Sequence, residues 1–122
     1  MKAALVCLIV LSALLGSSFF YSVKMADTAA DLAQHTTAIL KAENAKRAEK
    51  IKQLDEEWKT KEIWFSLSVP HSELDRIETE LVHVASAEKT KNDSEFQLAV
   101  ALLADAFEHI GRLYEASLDN IL

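Results

Sequence analysis

Between Lys2 and Lys24 the chain runs for 21 residues, Ala3 to Val23, without a charged side chain. As an α-helix at about 1.5 Å per residue this segment is about 31 Å long, the hydrocarbon thickness of a bilayer. A cleaved signal peptide is the competing reading, with Gly16, Ser17 and Ser18 as the small residues before a cut. Its apolar centre would be only about 7–15 residues long. Here the apolar run resumes at once with Phe19, Phe20 and Tyr21, an aromatic cluster suited to a membrane interface. Residues 3–23 are therefore read as an uncleaved anchor whose partner is the lipid bilayer. Lys2 and the free amino group mark the cytoplasmic side, which sends residues 24–122 to the outer face of the cell membrane in a single pass.

The rest of the chain has to fold with few turns. It holds 2 glycines and 1 proline in 122 residues, where average usage would supply roughly 15. Half the residues are hydrophobic and 26% are charged, a balance met by long amphipathic helices. Thr28 with Asp31 has capping-box spacing, and no breaker follows until Pro70. A helix begins at Thr28 or continues here out of the membrane, and the expectation is that it runs unbroken to about Ser66. Its first half is alanine-rich and polar, like a stalk or coiled-coil spacer. Its second half carries a stripe of Ile51, Leu54, Trp58 and Phe65.

Pro70 marks a turn, since it disfavours helix in the residue before it. After it, Ser72 with Asp75 repeats the capping spacing, and Leu74, Ile77, Leu81 and Val84, with Glu88 as the next step, trace a helix of about 18 residues. The polar run Lys89 to Asp93 ends it. Ser94 with Gln97 starts a last helix, whose stripe of Phe96, Val100, Leu103, Phe107, Ile110, Tyr114 and Ile121 is the clearest in the chain. Short connections make successive helices antiparallel. The fold class is all-α: an N-terminal transmembrane helix followed by an antiparallel three-helix bundle with a long first helix. Leu98, Ala99, Leu102, Ala106 and Leu113 widen the apolar face of the last helix beyond what three helices cover. That surplus points to a membrane-protein partner or a homodimer.

Charge excludes one class of partner. Residues 62–122 carry 4 basic and 12 acidic side chains, a surface that repels phosphate backbones, so no nucleic acid is expected. The basic stretch from Lys41 to Lys61 can lie beside this acidic part. The single cysteine, Cys7, lies in the apolar run and reads as a small apolar residue, with no metal or redox signature. No phosphate loop and no nucleophile in a recognisable setting is present, so neither an enzyme nor a cofactor is expected.

Histidines and carboxylates form the remaining constellation. Glu80 and His83 match a Glu-x-x-His metal-binding spacing once, where a di-metal bundle needs two such pairs and two further carboxylates. Across the turn near Asn92, antiparallel register sets His71 near Arg112, and Leu74 or Asp75 near His109, with Trp64 close to that end. His71, Glu73, Asp75 and His109 can form a small polar site for a cation or a partner's basic group, which makes a ligand- or cation-sensing bundle the alternative function. Simple helix capping and interhelix hydrogen bonding is the plainer account. His35 reads as surface.

With Trp64, the run His71-Ser72-Glu73-Leu74-Asp75, His109-Ile110 and the terminal Asn120-Ile121-Leu122, the chain resembles a small bacterial membrane-anchored family catalogued as a domain of unknown function, number four-three-six-three. The resemblance covers nearly the whole length. It implies an envelope protein of spore-forming Gram-positive bacteria with one amino-terminal membrane segment. It further implies an accessory role beside a multi-pass membrane protein. Trp64, His71, Glu73, Asp75, His109 and Asn120 are the matching positions, and the resemblance assigns them no role.

Overall fold

The computed structural model describes residues 1–121, with side chains to Asn120. It is all-helical: α1 (Lys2–Ile39), α2 (Asn44–Ser66), α3 (His71–Lys89) and α4 (Asp93–Ile121). Ile121 as a member of the last stripe, and Leu122 of the terminal run, lie outside the described side chains.

The expected helix from Thr28 to Ser66 ends at Ser66 as read, and is corrected in its middle. Of the two starts left open, continuation is the one found: α1 runs without a break from the apolar segment to Ile39, and Thr28 sits mid-helix with its Oγ1 donating back to the Lys24 carbonyl at 2.8 Å. The helix then stops thirty residues before Pro70. Leu40, Lys41 and Ala42 donate to carbonyls three residues back, at 3.1–3.2 Å, tightening the last turn. Glu43 then leaves the helical region at φ −59°, ψ 144°. Thr36 and Thr37 weaken this end, each hydrogen-bonding the carbonyl four residues back, at 2.7 and 3.0 Å. Packing supplies the larger cause. The buried stripe of α1 (Met25, Ala29, Leu32, Ile39) and that of α2 (Ile51, Leu54, Trp58, Phe65) reach one core only if the chain folds back between them.

The bundle therefore has four helices, running up, down, up, down, each close to its chain neighbours, with α4 closing the ring against α1. The α1–α4 pair is the most extensive. Small residues allow it: a Cβ on Gly111 would meet the Ala29 Cβ at 3.4 Å and the Ala26 carbonyl oxygen at 3.9 Å. Ala99 and Ala106 of α4 are fully buried, and Leu102 is half-buried. The surplus width of the last helix is thus largely the seat of α1, and only Leu98 and Leu113 keep an exposed apolar surface there.

Helix starts also differ from the capping-box expectations. Pro70 stands at the α3 cap with its carbonyl accepting from Glu73 N–H at 3.0 Å, which leaves Ser72 inside the helix. At α4 the cap is Asn92, whose Oδ1 accepts from Glu95 N–H at 3.2 Å. Between these helices Lys91 takes φ 56°, and Asn92 and Lys91 donate to Ala87 and Glu88 in a Schellman turn. Arg47 anchors the same end, lying 4.6 Å over the Phe96 ring and 3.5 Å from Asp93, the one ion pair among the described residues between the basic stretch and the acidic helices. In the core, Trp58 stacks on Phe65 at 5.5 Å and meets Phe107 at 5.7 Å.

The close α1–α4 approach is tested at Gly111. Gly111→Ala fits at van der Waals distance and gains helix propensity, so stability rises by up to about 1 kcal/mol. Gly111→Leu forces the helices apart and costs about 1–3 kcal/mol. Chemical denaturation of the full chain in detergent reads both.

Candidate functional site

Residues 2–20 of α1 are exposed throughout, and its bundle half begins at Tyr21 and Ser22. One helix from Lys2 to Ile39 is long and apolar enough to cross a membrane. Where it enters the bundle, the Tyr21 hydroxyl donates to the Trp64 carbonyl and lies 3.0 Å from Ser68 Oγ. Ser68 Oγ in turn lies 2.6 Å from the Tyr114 hydroxyl. The Tyr21 and Tyr114 rings meet edge to face at 6.1 Å. Three elements, α1, the α2–α3 turn and α4, are tied here by neutral groups. Burial pushes the Tyr114 phenol well above its usual range, and the neighbouring Tyr21 adds to this. Such a phenol donates hydrogen bonds and does not ionise near neutrality.

Of the six residues singled out, the structure brings two together. His109 Nε2 lies 3.3 Å from Glu73 Oε1, joining α4 to the first turn of α3. His71 is the exposed first residue of α3, and Asp75 is exposed on the same helix without an ion-pair partner among the described residues. Arg112 lies beside Asp105 and Glu108 at 3.9 and 4.0 Å, not beside His71. Asn120 is exposed near the end of α4, and Trp64 is exposed apart from its carbonyl. Among the described residues no group of three or more His, Cys, Asp or Glu side chains is arranged to hold a metal.

The expected α3–α4 register holds to within about a turn, through Glu73 with His109, Arg76 with Asp105 at 3.1 Å, and His83 with Glu95 at 3.1 Å. His83, the histidine of the Glu-x-x-His spacing, bridges carboxylates of two helices, with Glu80 at 3.4 Å on its Nδ1. The hydrogen bond to Glu95, then that to Glu80, raises its pKa above 6.5. His35 lies on the surface as read, yet its Nδ1 meets both oxygens of Glu57 at 2.9 and 3.1 Å, linking α1 to α2. Sequence reasoning missed this pair, because a helix running through residue 40 keeps His35 and Glu57 far apart.

A groove of about 640 Å³ lies between α2 and α3, lined by Ile51, Trp58 and Leu81 among others. At its rim the Glu62 carboxyl is pushed above its usual range, first by burial and then by a hydrogen bond shared with Glu78.

Fold and polar sites together define an all-helical protein: a four-helix antiparallel bundle whose first helix extends as an apolar segment of membrane-spanning length. A family model described as Domain of unknown function (DUF4363) matches residues 18–121, and the chain belongs to that family. No curated protein and no solved structure matches the chain.

Two pH-linked outcomes follow. A raised folded-state pKa at His83 contributes stability that is complete below about 6.5 and is lost as pH rises through the raised value. The His83 ring in an NMR titration is expected to have its midpoint above 6.5, and Glu95→Gln to lower it. A midpoint indifferent to Glu95 contradicts the assignment. Glu62 has the same sign, with repulsion from Glu78 growing as pH rises through its folded pKa. Glu62→Gln is expected to stabilise the chain at pH 7, by less than about 0.5 kcal/mol for a pair at the surface, and to have no such effect near pH 4.

Proposed function

We propose that the chain is an interaction subunit of another envelope membrane protein, anchored by a single pass of α1 with its amino terminus in the cytoplasm and its bundle outside. The observation that carries this reading is the division of α1. Its first half is apolar and uncovered, and its second half is a wall of the bundle in the same unbroken helix. Whatever grips the first half in the bilayer is coupled to the bundle without an intervening joint.

The partner contact assigned by the proposal lies on the span and not on α4, whose wide face α1 already occupies. Ser12 with Gly16, and Ala13 with Ser17, give spacings of four small residues, the pattern by which helix backbones approach closely in lipid. Nothing lies within 4 Å of a Cβ placed on Gly16. The proposal includes no catalysis. It leaves the cation-sensing alternative without support, since Glu73 and His109 meet while His71 and Asp75 stand apart from them.

A photocrosslinking residue placed along positions 9–17 of the full chain in its own membrane tests the proposal. A crosslink to a second membrane protein from the face of Gly16, with residues 1–23 still present, is the expected result. Gly16→Leu is expected to abolish that crosslink while the chain remains inserted. Recovery of a lone, uncrosslinked monomer from every position overturns the reading.

A further inference from the structure

Three large apolar side chains sit uncovered at the turn after α2. Ile63 is 66%, Trp64 54% and Leu67 69% exposed, although Phe65 in the same helical turn is fully buried. At about 100° per residue, positions 63, 67 and 64 fall at about 0°, 40° and 100°, on one side of the helix. They are therefore a patch and not core residues that failed to pack.

Their height relative to the apolar segment is fixed. Below Tyr21 the uncharged run from Ala3 to Phe20 is about 27 Å long as a helix, slightly less than a hydrocarbon core of about 30 Å. All of it is needed to cross, so Tyr21 stands at the lipid boundary. No slack exists above it, because Ser22 and Met25 already pack in the bundle and α1 has neither glycine nor proline between Tyr21 and Ile39. Tyr21 is bonded to the Trp64 carbonyl and to Ser68, which brings the patch to the same level. Glu115 and Asp119, exposed on α4 just beyond the Tyr114 that packs on Tyr21, keep this end out of the hydrocarbon. The depth left is that of the headgroups, where tryptophan is enriched.

Resting on the reading that α1 spans the bilayer, we infer that Ile63, Trp64 and Leu67 form a second membrane contact, seated in the interface of the same bilayer that α1 crosses. The bundle is then held to the surface at two places, by the span and by the α2–α3 turn, and lies against the lipid on one side.

The test uses the full chain in phosphatidylcholine vesicles with acyl chains brominated either near the headgroup or deep in the bilayer. Trp58 is buried and emits in both wild type and Trp64→Phe, so the difference between the two isolates Trp64. Flotation of the vesicles reports the anchor separately. Expected is a floated chain whose Trp64 emission falls about twofold with shallow bromines and less with deep ones, while acrylamide reaches it poorly. In Ile63→Ser/Leu67→Ser, with unchanged circular dichroism, the shallow quenching should shrink. A floated chain whose Trp64 is open to acrylamide and untouched by bromine overturns the inference and leaves the anchor reading standing. A Trp64 shielded from both also overturns it, since a protein then covers the patch. A chain that does not float removes the anchor and the second contact together.

Discussion

The approach of α1 to α4 is the contact on which the other packing depends. It brings Ala29 so near Gly111 that a methyl group added there would just touch the Ala29 methyl, with no room for a larger side chain. Once these two helices are set, α2 and α3 have one place to lie, each bridging from its neighbour to close the ring. The same contact joins the two environments of the chain, because α1 is at once the wall of a water-exposed bundle and the continuation of an apolar rod. A hinge between them, of the kind glycine or proline would allow, is excluded by the sequence from Tyr21 to Ile39.

The two ends of the bundle are held by different chemistry. Away from the apolar segment, Arg47 lies over Phe96 and beside Asp93, a charged contact open to water. At the end where α1 enters, the ties are phenol, hydroxyl and carbonyl groups of Tyr21, Ser68, Tyr114 and Trp64. These neutral groups satisfy one another's hydrogen-bonding capacity without an ionised partner.

Much of this fold is legible in the residues. The stripes of α2, α3 and α4 bury the side chains that their spacing marks, from Ile51 to Tyr114, because threefold and fourfold steps on a helix admit one inward face. Pro70 sets the second turn, and the α3–α4 register follows from a short connection. The turn at residues 40–43 is not legible, since neither glycine nor proline marks it and helix propensity runs through it. Only the demand of two stripes for one core breaks the helix there. That one difference carries most of the others. It turns three helices into four, gives the broad face of α4 its occupant, and pairs His35 with Glu57. The tyrosine knot follows too, since Tyr21 read as anchor alone has nothing to bond. Of the polar residues, register brings His109 to the start of α3, where its partner is Glu73 and not the Asp75 that register named, while Arg112 meets Asp105 and Glu108 in place of His71.

The most extensive helix pair joins the first and the last element of the chain, and this sets an order for its birth. The apolar rod and the stripe Met25 to Ile39 that continues it are translated before the other three helices. That stripe has no full cover until α4 has been translated, some eighty residues later. Translation that stops within α4 therefore yields a chain with a greasy flank, which quality-control proteases can recognise.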